Sequence, residues 1–256
     1  MKSHMKKHTL RSLLILITLT LALSFLGTSG AQRKTGSQAK KAQPQESDCH
    51  TNVDADTALN WLRAGNHRWS NPPPPMMARN WRNERAQTAK CQRPFAVVIA
   101  CMDSRVPPEL IFDRGLGEIF VIRVAGPVLG DDQLASLEYA LVNMNVKRVV
   151  VLGHTDCGAV KGAVAEGPPG PPYLPGLLLK LRPAVTYVKN NYNERRPISP
   201  TDETNVNRVS IANARDLARV IPTFGQDGVR VTWGLYSTAS GAVAFEPREP
   251  WLSSRK

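Results

Sequence analysis

The sequence has few or none of the features that mark the more specialised classes of protein. Only 4 of its 256 residues are cysteine and 6% are aromatic. It has no internal repeat and no run of lysine and arginine longer than two residues. This composition excludes a disulfide-dense miniprotein, collagen and a wholly disordered chain. With 42% hydrophobic residues, the chain is long enough to bury one large core.

The basic charge lies partly at the N-terminus. Lys and Arg outnumber Asp and Glu by 33 to 21, a formal net charge of +12, which favours nucleic-acid or anionic-membrane partners. Residues 1–11 hold four bases and no acid, residues 13–26 are mostly apolar, and small residues follow up to Ala31. This order predicts a cleaved secretory signal peptide over residues 1–31, and therefore a periplasmic or secreted protein. The apolar run is shorter than the roughly 20 residues that span a bilayer, so we expect no stable membrane anchor after cleavage.

The next segment, residues 32–48, contains no Val, Leu, Ile or aromatic residue, a composition typical of a flexible linker. It carries four bases and two acids, so the predicted folded domain, residues 49–256, keeps a net charge of +6. These charges are scattered rather than clustered. We therefore predict no nucleic-acid partner.

The remaining residues alternate between two kinds of pattern. Short apolar runs typical of strands buried on both faces occupy residues 95–100, 119–122, 148–152 and 229–236. Helical spacing or helix-forming composition occupies residues 54–69, 76–90, 131–145 and part of 205–220. The alternation predicts an α/β fold with a mostly parallel central sheet of four to five strands flanked by helices. Residues 242–245 would add an edge strand through a hairpin, and the Pro/Gly-rich residues 167–176 a loop.

Chemically active side chains follow two of the predicted strands. Cys101, Asp103 and Arg105 come directly after the first strand, and His154 and Cys157 come just after the third. Open parallel sheets bind ligands beyond the carboxyl ends of their strands, so the two groups can meet there. Two thiolates, an imidazole and a carboxylate form a four-ligand set for Zn²⁺. The spacing of His154 and Cys157 would put both on one face of a helical turn.

Arg105 favours a catalytic over a structural zinc site. A guanidinium two residues from Asp103 can bind its carboxylate bidentately and free a metal position for water. Other readings remain open at this stage. The two cysteines could be buried or disulfide-bonded, one could be a nucleophile with His154 as its base, and Arg105 could only fix a structural carboxylate.

These residues carry a resemblance to a known family. Residues 100–109 (ACMDSRVPPE) resemble the first metal motif of the β-class carbonic anhydrases, and residues 153–159 (GHTDCGA) resemble the second. The similarity covers about residues 56–246, through further matches at residues 64–69, 120–126, 136–140, 234–236 and 241–243.

The resemblance implies reversible hydration of carbon dioxide to bicarbonate and a proton by zinc-bound hydroxide. It assigns Cys101, His154 and Cys157 to zinc. Asp103 would be either the fourth ligand or, paired with Arg105, the acceptor that orients the hydroxide.

The resemblance also implies a substrate site and an assembly. The substrate site would contain Gln92, Phe120, Tyr139 and the backbone N–H of Gly158, with Phe120 and Tyr139 in a pocket shared with a neighbouring subunit. The expected assembly is a homodimer or a dimer of dimers, with the N-terminal helix packed on the partner. Pro127 stands where many members have Asn, so it cannot make the hydrogen bonds of that amide.

Two cysteines, Cys49 and Cys91, lie outside the metal motifs. In an oxidising compartment such a pair predicts a disulfide, and two unpaired thiols are the alternative.

Two other functions stay open for the whole chain. One is hydrolysis of carbon disulfide or carbonyl sulfide by the same fold and ligands, and the other is a noncatalytic zinc-binding module.

Overall fold

The computed structural model describes residues 49, 51–71, 76–165, 172–192 and 198–246. The predicted signal peptide (1–31) and linker (32–48) lie outside the described residues. Within them, no helix combines the length and apolar character needed to cross a membrane.

A five-stranded sheet organises the fold. Its strands are β1 (Ala96–Ala100), β2 (Ile119–Arg123), β3 (Arg148–His154), β4 (Arg230–Tyr236) and β5 (Val243–Phe245). The spatial order is β2-β1-β3-β4-β5, and every pair is parallel except β4 with β5. This confirms the predicted α/β fold with a mostly parallel sheet.

Eight α-helices flank the sheet in the described residues. They are α1 (Ala55–Ser70), α2 (Trp81–Thr88), α3 (Pro108–Ile111), α4 (Asp131–Glu138), α5 (Gly158–Ala165), α6 (Leu174–Leu179), α7 (Arg182–Tyr192) and α8 (Glu203–Val220). The first begins where the sequence provides a cap, since the Asp54 carboxylate accepts the backbone N–H groups of Asp56 and Thr57.

The core lies on both faces of the two central strands, β1 and β3, which are buried along their whole length. Alternate residues point to opposite faces. Val98 and Leu152 therefore pack with residues of α1 and α3, while Val97 and Val151 pack with residues of α4 and α8. Burial on both faces explains why these strands read as continuous apolar runs.

Three sequence-based boundaries were wrong. The helix predicted over residues 131–145 leaves α geometry after Glu138 and continues as a wider π-helical turn, Tyr139–Asn143. Residues 167–171 of the predicted loop 167–176 lie outside the described residues, and α6 begins within its end at Leu174, because Pro175 is compatible with the first turn of a helix. The helix predicted within 76–90 covers only α2.

Close backbone packing leaves no room for a side chain at Gly65 in α1. A Cβ built on Gly65 would lie 1.8 Å from the carbonyl oxygen of Phe112. We expect Gly65→Ala to destabilise the protein by about 3 kcal/mol or more, the upper end of the cost of overpacking, in urea-unfolding experiments. Gly176→Ala is the matched control, because nothing lies within 4 Å of its Cβ position in α6. It should be neutral or stabilising by up to about 1 kcal/mol, and an equal loss in both variants would contradict the packing argument.

The structure joins Cys49 to Cys91 in a disulfide across 42 positions of sequence. Closing a loop of this length restricts the unfolded chain, which corresponds to about 4 kcal/mol in the chain-entropy model. We expect the free energy of unfolding of the double variant Cys49→Ser/Cys91→Ser to be lower than that of the wild type by a large part of this amount. Alkylation of both cysteines in non-reduced native protein would contradict the bond.

Candidate metal centre

Three metal-binding side chains meet at the carboxyl ends of two adjacent strands. Cys101 follows β1, His154 is the last residue of β3, and Cys157 immediately precedes α5. The parallel register pairs Ala100 with Leu152, so both strands end at the same edge of the sheet. All three side chains are buried, and their ligand atoms lie within 4.8 Å of one another.

The second group reaches this geometry through a turn rather than the expected helical face. The two residues between His154 and Cys157 form a turn, and Asp156 takes a left-handed φ of 58°. This reversal lets a strand residue and the residue before a helix point to one place. The cysteines remain separate thiols, because neither Cys101 nor Cys157 is disulfide-bonded.

The histidine is oriented as a ligand. Its Nδ1 lies 2.9 Å from the backbone oxygen of Thr155, which can only accept, so Nδ1 carries the proton. The other nitrogen, Nε2, therefore has a free lone pair. It is buried and has no hydrogen-bond partner, which is costly for a polar atom unless a ligand occupies it.

The two thiols are electrostatically unlike. A hydrogen bond from Cys157 is the main cause that lowers the pKa of Cys101, helped by the backbone N–H groups of Gly126 and Asp103. The bond to Cys101 and then burial raise the pKa of Cys157. The site thus already favours one thiolate, the form of cysteine that binds metals.

Asp103 is paired with Arg105 and stands outside the group of three donors. Arg105 Nη2 lies 2.8 Å from Asp103 Oδ2, and its Nε lies 3.0 Å from Oδ1. The backbone N–H of Asp103 is also 3.5 Å from Cys101 Sγ, which keeps the carboxylate next to the donors. The sequence allowed two arrangements for Asp103, as a fourth zinc ligand or paired with Arg105. The described residues show the pair with Arg105.

Sequence reasoning missed a second carboxylate beside this pair. Asp156 Oδ2 lies 3.4 Å from Arg105 Nη1, and Asp156 also forms an ion pair with Lys161. Hydrogen bonding from Lys161 is the main cause that lowers the pKa of Asp156. The signal was an acidic residue inside the second motif, but its partner 51 positions away could not be identified from spacing.

Glycines leave room at the centre. Gly126 donates its N–H to Cys101 Sγ at 3.4 Å and has a φ of 71°, with Leu181 Cδ1 only 2.8 Å from a Cβ position. Nothing lies within 4 Å of the Cβ position of Gly158, which follows Cys157. Space therefore remains open beside the donors on the Gly158 side.

The other residues assigned to substrate lie away from the donors within one chain. Gln92 and Tyr139 line a cavity of about 490 Å³ that also contains Cys91. Phe120 makes an edge-to-face contact with Tyr139 at 6.4 Å between ring centroids. In the sheet, Phe120 pairs with Val97 near the start of β1. This position lies about 10 Å along the strand from the carboxyl end, where the metal donors are.

Zinc is the metal that this donor set fits. Two thiolates and an imidazole match its preference for sulfur and nitrogen ligands, and three protein ligands are typical of a catalytic site that keeps one position open. The unpartnered Nε2 of His154 supports the same conclusion.

A comparison with known families decides the relationship. The family model described as carbonic anhydrase matches residues 96–243, more than half of the chain. The chain belongs to the carbonic anhydrase family. The matched region contains both metal motifs.

Curated carbonic anhydrases match over part of their length. Carbonic anhydrase 2 of Mycobacterium tuberculosis is 44% identical over 114 residues, 44% of this chain and 55% of the relative. The carbonic anhydrase of Mycolicibacterium smegmatis is 51% identical over 81 residues, 32% of this chain and 39% of the relative. The chain thus spans about half the length, or less, of these curated relatives.

Solved carbonic anhydrases share the fold. The tetrameric β-carbonic anhydrases of Sordaria macrospora include a chain 24% identical to this one, with a TM-score of 0.56 over 65% of this chain and 90% of that chain. The β-carbonic anhydrase CcaA is 25% identical, with a TM-score of 0.57 over 65% of this chain and 85% of that chain. The fold is that of the β-class carbonic anhydrases.

The Asp103–Arg105 pair has a testable acid–base property. Hydrogen bonding from the Arg105 side chain is the main cause that lowers the pKa of Asp103 from 3.8 to about 2. A lowered pKa stabilises the folded state above pH 3.8, and this contribution is lost as the pH falls towards 2. We expect Arg105→Ala to raise the pKa of Asp103 towards 3.8 in a carboxyl NMR titration. An unchanged pKa would show that the pair does not control Asp103.

Proposed function

We propose that this protein catalyses the reversible hydration of carbon dioxide to bicarbonate and a proton. The observation that carries the proposal is an ionised carboxylate, Asp103, held by Arg105 beside three buried zinc donors. A structural zinc site needs no such pair, because four fixed protein ligands close it.

The metal donors and Asp103 have different roles in the proposed reaction. Cys101, His154 and Cys157 would hold zinc, which when bound supplies a Lewis acid that lowers the pKa of water towards about 7. The low pKa of Asp103 keeps its carboxylate able to accept a hydrogen bond at neutral pH. Because both of its oxygens are bonded to Arg105, the carboxylate has a fixed orientation and can align the attacking water with the substrate.

The substrate side of the centre is not obstructed at Gly158. This residue has no side chain, and nothing lies within 4 Å of its Cβ position. Carbon disulfide and carbonyl sulfide share the linear shape of carbon dioxide and remain the alternative substrates for the same residues. Assays of all three on one preparation separate these functions.

We propose that the protein acts as a homodimer or a dimer of dimers. Strand β2 forms an edge of the sheet, and its residues Ile119, Phe120, Val121 and Ile122 are only half-buried. Helix α2 has no buried residue in the described chain. A partner over these surfaces would cover the edge and bring a second set of Gln92, Phe120 and Tyr139 towards each metal centre. The solved Sordaria macrospora enzymes are tetrameric.

We also propose export of the protein, with removal of residues 1–31. The order of basic, apolar and small residues at the N-terminus supports it, and so does the Cys49–Cys91 disulfide, because such bonds persist in oxidising compartments. Periplasmic and fully secreted locations both meet this condition. A mature protein that retains Met1 would contradict the proposal.

The decisive variant is Arg105→Ala. It should lower kcat/KM for carbon dioxide hydration about a hundredfold, because the carboxylate loses its fixed orientation. Zinc content should stay near one per chain, since Arg105 contributes no donor to the group of three. Stopped-flow hydration assays and metal analysis of the same sample measure both quantities.

The control for this experiment is Arg219→Ala. Arg219 is also paired with an aspartate, Asp216, but its side chain is 68% exposed at the end of α8. This variant should keep wild-type activity. Full activity of Arg105→Ala would contradict the role of the pair, and zinc-loaded wild-type protein without any hydration activity would contradict the proposed function itself.

A further inference from the structure

Helix α8 carries polar side chains towards the carboxyl end of the sheet. Most of its inward residues are apolar, as expected for a helix packed on strands. Asn207, Ser210 and Asn213 interrupt that pattern at three-residue intervals. Ser210 lies against the end of β3, since its carbonyl oxygen would be 2.9 Å from a Cβ on Gly153, the residue before His154.

The amide of Asn213 binds the loop that follows β2. Its Nδ2 lies 3.0 Å from the backbone oxygen of Gly126 and 3.2 Å from that of Pro127. Both of its N–H donors can therefore be used on adjacent carbonyls of one loop. The contact spans 87 and 86 positions of sequence, and it adds a polar contact to the apolar packing between this loop and α8.

The same loop touches a metal donor. Gly126 donates its backbone N–H to Cys101 Sγ at 3.4 Å. Glycine has more conformational freedom than any other residue type. Pro127, which follows Gly126, has no N–H of its own to anchor the loop. Besides the packing of this buried loop, the Asn213 amide supplies a hydrogen bond that helps to hold the Gly126 N–H in its direction towards the sulfur.

A parallel contact holds the other loop of the centre. Asn207 Oδ1 accepts the backbone N–H of Asp156 at 3.0 Å, between His154 and Cys157. One helix thus binds the loop that carries His154 and Cys157, as an acceptor, and the loop whose Gly126 N–H contacts Cys101, as a donor. Neither asparagine lies in a metal motif.

We propose that Asn213 is a positioning residue of the metal centre, which acts on Cys101 through the Gly126 N–H. It fixes the Gly126–Pro127 carbonyls so that the N–H stays on the sulfur. Removing a hydrogen bond made directly to a metal ligand typically weakens metal binding by about 10- to 100-fold. Asn213 supports such a bond rather than making it, so we expect an effect near the lower end of this range. The inference rests on the metal centre within the proposed function, and it is independent of which substrate the protein uses.

The test compares zinc affinity among full-length variants. Asn213→Ala removes both donors, and Asn213→Asp keeps the size of the side chain while replacing the N–H groups by an acceptor. We expect zinc binding about 10-fold or more weaker in both, measured by competition with a chromophoric chelator. In the cobalt-substituted proteins we expect a shifted sulfur-to-metal absorption band, because the hydrogen bond to Cys101 is altered.

The control is Asn205→Ala, on the same helix but bonded to Asp202 at the helix start. It should bind zinc within twofold of the wild type and keep the cobalt band. Circular dichroism identifies the folded variants, and if Asn213→Ala does not fold then Asn213→Asp decides. Zinc affinity within twofold of wild type and an unchanged cobalt band in a folded Asn213 variant would overturn the proposal, even if its melting temperature fell. If the wild-type protein did not hydrate carbon dioxide, the proposed function would be contradicted. The comparison of zinc affinities would still test the role of Asn213.

Discussion

The structure depends on the parallel pairing of β1 with β3. The pairing is in register to Ala100 and Leu152, and β3 runs two residues further, so Cys101 and His154 lie at the same edge although 53 positions separate them. Burial of both strands on both faces fixes the position of this edge, because a slip by one residue would exchange the side chains that each face of the close-packed core accommodates. The metal centre is thus positioned by the same hydrophobic packing that stabilises the sheet.

The polar groups around this edge follow from the cost of burying them. Two backbone groups of the loop between β3 and α5 have side-chain partners: the Thr155 carbonyl accepts from His154, and the Asp156 N–H donates to Asn207. In the described residues, His154 Nε2 is the one buried nitrogen of the donor group left without a bond. An unpaired buried nitrogen is costly, so its position among the metal donors indicates that it serves to bind a ligand.

The sheet, its order of elements and the three metal donors could be predicted because each leaves a local signal: an apolar run, or a cysteine or histidine directly after one. The π-helical turn at Tyr139 could not, because the sequence continues with helical spacing and nothing in its pattern marks where the wider turn begins. Asn207 and Asn213 were missed for a related reason. An asparagine on a helix has no distinctive pattern until the loop that it binds, some 50 to 90 positions away, is placed beside it.

Pro127 shows how a departure from the family pattern is accommodated. The side-chain amide that many members carry in this loop is absent, and proline removes a backbone donor as well. In this chain Asn213 on α8 donates to the Gly126 and Pro127 carbonyls. The loop therefore has a side-chain hydrogen bond from outside its own sequence. The Gly126 N–H contacts Cys101 Sγ, and this is the part of the loop on which the metal centre depends.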